Sequence, residues 1–487
     1  FISSDERPTR AMPPFVGRAV LSTARRRATI DLFPRPCGLS FSSSSMSAVR
    51  PVESFENTSR VATISTARTC TAAPVFGPQS STSTLCAGTR LFSSSSAADE
   101  SERRDKLMGY NLEDEQCNVT PTIAARVGTN LHLQPKHPLN TIKNIIEEYW
   151  KSYEANAPFE AHDDLSPVVP TNLNFDSLLI PPDHVSRSKS DTYYLRDEVV
   201  LRTHTSAHQT TLLRSGVDRF LVTGDVYRRD EIDSSHYPVF HQMEGVRMFT
   251  DEELREAGLS KTESSEVELV KFAEADLKAG LEGMARALFG NVEMRWVDEY
   301  FPFTDPSYEL EILFEGEWME VLGCGVVHRN IVQDVGRGRQ PGWAFGLGLE
   351  RLAMVLFDIP DIRLFWSQDE RFHSQFESGK IVKFTPYSKY PPCFKDISFW
   401  CSGADIKPTD SSFHPNDLYE VVRDVGGDLV EKVELIDDFI HPKTGRISNC
   451  FRISYRSMDR SLTNEEIDAL QEKVRELTVD KLGVELR

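Results

Sequence analysis

Between Gly224 and Gly245 the chain reads as two strands around a charged loop, Gly-Asp-Val-Tyr-Arg228-Arg229-Asp-Glu-Ile-Asp-Ser-Ser235-His236-Tyr237-Pro-Val-Phe240-His-Gln242-Met-Glu244-Gly. Successive side chains of a strand point to opposite faces, so Phe240, Gln242 and Glu244 share one face. A ring, an amide and a carboxylate side by side make a poor core, because burying Glu244 without a cation is costly. Two readings follow: an exposed hairpin laced with ion pairs, or a binding face. In the second, Arg228 offers a permanently charged fork for phosphate oxygens, Phe240 a plane for a base, and Glu244 an acceptor for an ammonium group.

Strand-like runs recur on both sides of this hairpin, at Glu198–Thr205, Phe220–Tyr227, Val239–Phe249, Tyr308–Phe314, Trp318–Leu322 and Trp343–Leu347. Ile142, Ile145, Ile146 and Tyr149 predict a helix over Thr141–Tyr153, and Val270, Ala273, Leu277, Leu281, Met284 and Leu288 predict another over Thr262–Phe289. Hairpin-type connections with helices grouped apart point to an α+β domain around a mixed, mainly antiparallel sheet, placed at 119–376. Ser378–Gly379 and the proline-bearing run Thr385–Pro392 then read as a linker, bounded at 377–387. Residues 388–487 follow the order strand, helix, strand, strand, helix, strand: Asp396–Cys401, Asn416–Val425, Leu429–Ile440, Asn449–Met458, Glu465–Leu482 and Val484–Leu486. Gly426-Gly427 stops the first helix, and Thr463 with Glu466 caps the second. This is the ferredoxin-like βαββαβ order.

Two further stretches carry chemistry. In Arg202-Thr-His204-Thr-Ser206-Ala-His208-Gln209, His204 and Ser206 share a face if the segment is a strand, and Ser206 can cap the helix that follows. The positive helix end then lies near whatever His204 touches, a place that suits a carboxylate or phosphate. An ordinary strand-to-helix corner is the plainer alternative. In Trp343-Ala344-Phe345-Gly346-Leu-Gly348-Leu-Glu350-Arg351, two glycines let a strand turn into a helix that buries Leu349, Leu352 and Leu356. Arg351 falls in the first helical turn, where the dipole opposes a cation and a bound anion removes the conflict. Alone, the Gly-x-Gly is compatible with a structural hinge.

In this order the three stretches resemble motifs 2 and 3 of the class II aminoacyl-tRNA synthetases. His-Thr-Ser at 204–206, Phe-His-Gln-Met-Glu-Gly at 240–245, Tyr-Phe-Pro-Phe-Thr at 300–304 and Gly-Leu-Gly-Leu-Glu-Arg at 346–351 are together similar to the catalytic unit of the phenylalanyl-tRNA synthetases. Asn174-Phe-Asp-Ser-Leu-Leu-Ile-Pro, the glycine-bounded segment Gly316–Gly325 and Asp361-Ile-Arg-Leu-Phe-Trp add to the likeness. Ser388-Lys-Tyr-Pro-Pro and Asp396-Ile-Ser-Phe-Trp resemble the start of the ferredoxin-fold anticodon-binding domain fused to the single-chain organellar forms. The resemblance covers Val119 to Arg487.

It implies ATP and L-phenylalanine as substrates, Mg²⁺ as cofactor, tRNA(Phe) as partner and a monomer. Arg228 and Arg351 are the implied catalytic groups: Arg228 meets the α-phosphate and the amino-acid carboxylate, and Phe240 with Arg351 sandwiches the adenine. His204, Ser206, His208, Gln209, Gln242 and Glu244 would surround the polar end of phenylalanine. Ser235, His236 and Tyr237 lie in the loop that reaches ATP and the tRNA acceptor end. Phe301 and Phe303 would meet the substrate ring, with Ala344 at the pocket floor and Phe345 beside it. Two residues apart in an extended segment, both rings face one pocket, and such contacts contribute about 1 kcal/mol each beyond burial. Glu320 is either a Mg²⁺ ligand or an amino-acid contact. An apolar pocket rejects an added hydroxyl only about 10²-fold, and no segment between Asn118 and Arg487 is long enough for an editing domain, so tyrosine is an expected competitor.

Charge divides the chain. Residues 1–98 hold 11 Arg, no Lys, 5 acids and 19 Ser, whereas the remainder has 44 basic and 69 acidic residues. An Arg- and Ser-rich, acid-poor stretch has the composition of a transit peptide, which predicts the mitochondrial matrix, with a plastid or both organelles as the alternative. A disordered tail or untranslated sequence is a second reading, since residue 1 is Phe and the first methionines are Met12 and Met46. No apolar run approaches the roughly 20 residues of a membrane span, so no membrane partner is expected. Cys37, Cys70 and Cys86 lie in the leader, and Cys117, Cys324, Cys393, Cys401 and Cys450 show no zinc-type spacing. The terminal segment 386–487, with 14 basic and 19 acidic residues, must bind RNA through placed cations rather than net charge. Arg452 and Arg456 on one strand face, with Lys443 and Arg446 in the turn before it, are the candidate tRNA surface; a solvated, ion-paired face is the alternative. Two other functions compete: a catalytically silent synthetase-like RNA-binding protein, and a class II synthetase for another amino acid.

Overall fold

The computed structural model describes residues 106–153, 157–387, 390–401 and 413–487; the leader at 1–98 lies outside them. Apolar alternation produces long strands that pair in the order β1-β2-β3-β7-β6-β5-β4. These are β1 (Glu160–His162), β2 (Arg219–Tyr227), β3 (Val239–Met248), β4 (Met294–Glu299), β5 (Thr304–Phe314), β6 (Glu317–Val327) and β7 (Gly342–Gly348). Only β1 pairs in parallel; every other neighbour in this sheet is antiparallel. Helices α1 (Pro138–Tyr153), α2 (Glu266–Phe289) and α3 (Leu349–Phe357) cover one sheet face through Ile142, Ile146, Trp150, Leu277, Leu281 and Leu352, which join one buried cluster. The opposite face carries a second apolar cluster with Phe220, Val222, Val246, Met248 and Ala344, beside a cleft that Glu244 and Ala344 line.

Several boundaries differ from the sequence reading, among them the strands Thr304–Phe314 and Glu317–Val327, which run longer than expected, and two carry a structural reason. The strand expected at Glu198–Thr205 stops at Leu201, and Thr205–His208 forms a 3₁₀ turn that leads into the helix Gln209–Ser215. Arg202 accounts for the break. Its Nε donates to the Asp225 carbonyl at 2.7 Å and its guanidinium pairs with the Asp225 carboxylate at 2.7 Å, which draws the buried side chain toward β2. Consequently His204 and Ser206 do not share a strand face, and Ser206 is not a helix cap. The long helix begins at Glu266 rather than Thr262, because Ser265 and Glu268 close a reciprocal capping box there.

A second sheet has the order β9-β10-β8-β11, from β8 (Cys393–Trp400), β9 (Val430–Ile440), β10 (Ile447–Tyr455) and β11 (Glu485–Leu486), all antiparallel. Helices α4 (Pro415–Gly426) and α5 (Asn464–Leu482) close its inner face over Ile397, Phe399, Leu418, Phe451, Ile453 and Ile467. Gly427 ends α4 with φ of 50°, and Thr463 caps α5.

This terminal domain is docked on the loop between β2 and β3. Ile232 inserts into the terminal domain's apolar cluster, and the Val433 amide donates to the Ile232 carbonyl at 2.9 Å. Asp428 receives Arg126 at 2.5 Å and the Tyr237 hydroxyl at 2.7 Å. Arg229 pairs with Asp417 at 3.1 Å, and the Arg423 guanidinium donates to the Asp230 carbonyl at 2.8 Å. Among the described residues no helix is long and apolar enough to cross a membrane, and Cys117, Cys324, Cys393, Cys401 and Cys450 are free thiols.

Candidate active site

A cleft of about 510 Å³ opens beside β3, β5, β6 and β7. Because β3 alternates, Gln242 and Glu244 turn into it while His241 and Met243 are buried on the helix side. Glu244 is 2 % exposed, and neither carboxylate oxygen meets a donor at hydrogen-bond distance and angle. The Ser206 hydroxyl is its polar neighbour, and burial outweighs that neighbour and pushes the Glu244 carboxyl up to about 8. A buried, unpartnered carboxylate facing a cleft is built for a cation that arrives with a ligand.

Its surroundings select which cation. His204 Nε2 lies 3.0 Å from the Asn174 carbonyl, which fixes that nitrogen as the donor and leaves Nδ1 bare. Burial and then the Arg228 charge push the ring down to about 3, so His204 is neutral and offers a lone pair. The Gln209 side-chain oxygen is likewise buried without a partner. Three acceptors lining one cleft suit an ammonium group. Arg228 supplies the opposite charge: its Nε donates to the Thr203 carbonyl at 2.9 Å, and its guanidinium carbon sits 5.1 Å from the Phe240 ring centre. Burial lowers its pKa, with Asp230 opposing, but a guanidinium stays charged. The rest of the fork faces the cleft, where an anion belongs.

The apolar end is formed by Phe301 and Phe303, whose rings lie 5.8 Å apart and within 9° of parallel. Gly323 makes room for them, since a Cβ there would lie 2.8 Å from the Phe301 ring. Ala344 lies in the same wall, in the cluster against which Phe303 packs. Phe345 also borders the cleft, beside Ala344, but not with its ring. One residue on from Ala344, its ring turns to the helix side, stacking on Trp150 at 5.4 Å and filling the space a Cβ on Gly245 would need.

Motif ends are joined by a contact that strand periodicity did not announce. Glu350 in the first turn of α3 accepts the His241 backbone N–H at 2.8 Å and lies 2.7 Å from His241 Nδ1, all buried. This fixes α3 to β3, and Arg351 then points to Glu320, which it meets at 2.6 Å at the cleft's edge. Glu309 faces the same cleft; burial first and Glu320 next push its carboxyl up to about 7.

Six residues expected at this site are not among those lining the cleft: Phe240 lies against Arg228, Arg351 reaches the edge only through Glu320, and four lie elsewhere. His208 turns to Arg202, 2.9 Å away, and burial holds it down to about 4; it does not line the cleft. Ser235 and His236 fold onto Asp233, each at 2.9 Å, and this hydrogen bond raises the His236 pKa. Tyr237 stacks on Trp366 at 5.4 Å and reaches Asp428. The terminal domain meets that loop through Tyr237–Asp428 and Ile232.

Residues 123–376 match the model of the tRNA synthetases class II core domain (F), and residues 388–487 match that of the ferredoxin-fold anticodon binding domain. The chain is 57% identical to a chloroplastic/mitochondrial phenylalanine–tRNA ligase of Arabidopsis thaliana, over 77% of this chain and 84% of that one. It belongs to the phenylalanine–tRNA ligase family of class II synthetases. Mitochondrial members from Mus musculus and Saccharomyces cerevisiae are 50% and 40% identical, over 82% and 78% of this synthetase and 94% and 93% of their own lengths. In this synthetase, sequence reasoning passed over Asn174, Glu309 and Glu350. Asn174 and Glu350 stand inside the very segments that carried the resemblance, and that membership was the available signal; their burial is seen only in the fold.

Proposed function

We propose that this enzyme joins L-phenylalanine to tRNA(Phe) through phenylalanyl-adenylate, in an organelle. The observation that carries the choice of amino acid is the pairing, in one cleft, of an unpartnered Glu244 with the parallel rings of Phe301 and Phe303. Glu244, His204 and Gln209 take the ammonium group; the phenyl ring enters against Phe301 and Phe303 over Ala344. Arg228 then holds the amino-acid carboxylate beside the α-phosphate of ATP, whose adenine lies over Phe240. A carboxylate oxygen attacks the α-phosphorus and pyrophosphate leaves; no side-chain nucleophile is needed. The cleft works by positioning and by charge, with Arg228 and Arg351 facing the charge that builds on the phosphoryl oxygens. A ribose hydroxyl of the tRNA end next attacks the acyl carbon and AMP leaves.

Mg²⁺ suits this site as an ion shared with the phosphates. Among the described residues no group of three His, Cys, Asp or Glu could hold a metal, but Mg²⁺ commonly uses one or two carboxylates plus substrate oxygens. Glu309, whose carboxyl is raised by burial and then by Glu320, and Glu320 itself are the residues that would hold it. When bound it would neutralise charge on the pyrophosphate. The Arg- and Ser-rich segment 1–98 supports delivery to the mitochondrial matrix, and the presence of both domains in one chain supports a monomer.

Pyrophosphate exchange measured across the amino acids tests the reading. Exchange that depends on phenylalanine, followed by charging of a tRNA(Phe) transcript, is expected. Exchange driven by a different amino acid, or none at all, overturns it.

A further inference from the structure

The terminal domain's sheet has a covered face and an open one, and the open face carries a group of side chains that its core does not use. In one row across the sheet, Trp400 on β8 stands opposite Ser448 on β10, and Ser448 opposite Phe439 on β9. The two rings lie 6.3 Å apart, and His441 completes a triangle at 5.9 Å from Trp400 and 6.3 Å from Phe439. None of the three belongs to the domain's apolar cluster, and all are half-buried. Two guanidinium groups lie on them: Arg487 at 5.5 Å from the Trp400 ring and 5.1 Å from Phe439, and Arg446 at 4.8 Å from Trp400. Arg487 also donates to the Ser448 hydroxyl at 3.3 Å.

We infer that this row is a stacking platform for unpaired bases of the tRNA anticodon loop, with Trp400 and Phe439 as the surfaces and Arg487 and Arg446 as the planes that close over a base or meet its phosphate. The inference rests on the tRNA reading above and adds which face and which residues. Aromatic and guanidinium planes stack on any base, and a basic pair is what an acidic domain needs to attract RNA at one place. Acidic neighbours set the limits of the site: Glu485 pairs with Arg446 at 2.6 Å, and Asp437 and Asp438 stand on β9. Stacking, more than phosphate attraction, therefore carries the contact.

Three of the four residues expected to bind tRNA fall outside the platform. Arg452 is held in a two-pronged pair by Asp396, at 2.8 Å to each oxygen. Arg456 lies past the end of β10, donating to the Tyr390 carbonyl and pairing with Glu431 at 2.7 Å, while Arg363 donates to its own carbonyl. Lys443 is exposed in the turn, and Arg446 alone of the four joins the rings.

The test compares Trp400→Ala, Trp400→Phe and Arg487→Gln in the full chain, with a tRNA(Phe) transcript and one whose anticodon bases are replaced. Wild type should prefer the natural anticodon. Trp400→Ala should raise KM for tRNA(Phe) by about tenfold and erase most of that preference, with phenylalanine-dependent pyrophosphate exchange unchanged; Trp400→Phe should restore most of the preference, and Arg487→Gln should raise KM. A Trp400→Ala enzyme that exchanges pyrophosphate normally and still discriminates anticodons as wild type does overturns the platform and leaves the tRNA reading standing. A wild type indifferent to the anticodon overturns anticodon reading by this domain, and the platform with it.

Discussion

Glu244 shows how a binding residue can weaken the protein that carries it. An unfolded glutamate ionises near 4.5, whereas the folded carboxyl is held to about 8. Between these values the folded state retains a proton that the unfolded chain has released, so the group's contribution to stability falls as pH rises through this window and levels off above about 8. Glu244→Gln removes the titration. The variant should melt above wild type at pH 8, with the difference shrinking toward pH 5, and should lose phenylalanine-dependent exchange at least 10²-fold; calorimetry across pH together with exchange assays checks both. In wild type, kcat/KM for phenylalanine should climb between pH 7 and 8, as the carboxylate that receives the ammonium forms. A flat profile would remove Glu244 from that role. Tyrosine, rejected by apolar walls and Ala344 alone, should be activated roughly 10² less efficiently than phenylalanine, and purified enzyme should not hydrolyse Tyr-tRNA; rapid clearance contradicts the absence of editing. At this scale the sequence was legible wherever period two applied, as for Phe240, Gln242 and Glu244. The same rule turns the Phe345 ring to the helix side, although both Ala344 and Phe345 border the cleft.

Elements meet through buried polar contacts that a one-dimensional reading does not foresee. The two glycines before α3 mark a turn, but what orients the helix is Glu350 against His241, more than a hundred residues away in sequence. Glu350→Ala leaves the His241 N–H and ring buried without their acceptor, and it should destabilise the protein by about 2–4 kcal/mol, measured by urea unfolding. Arg351 would then lose its bearing on the cleft, so KM for ATP should rise more than KM for phenylalanine. Strand and helix identities were largely legible, because long amphipathic runs declare themselves. Residues 202–205 were not: Thr203 and Thr205 favour strands, yet a buried Arg202–Asp225 pair redirects the chain, and that partner is visible only in three dimensions.

The two domains share one surface, and nothing local in the sequence announced it. Contacts such as Arg126–Asp428, Tyr237–Asp428 and Arg229–Asp417 join residues separated by 302, 191 and 188 positions, beyond the reach of any periodicity. Their effect is to occupy the loop that the family resemblance assigns to ATP and tRNA. Asp428→Ala removes the acceptor for both Arg126 and Tyr237, and it should speed hydrogen exchange in the 229–237 loop and at the Val433 amide while phenylalanine-dependent pyrophosphate exchange persists. Unchanged loop protection would show that the remaining contacts hold the domain without Asp428. The insertion of Ile232 into the neighbouring cluster has a practical corollary. Each half, produced separately, would present what the other normally covers: a bare isoleucine with its carbonyl turned to water on one piece, an open apolar socket beside an unpaired edge strand on the other. Such pieces would carry complementary surfaces, the isoleucine of one matching the socket of the other.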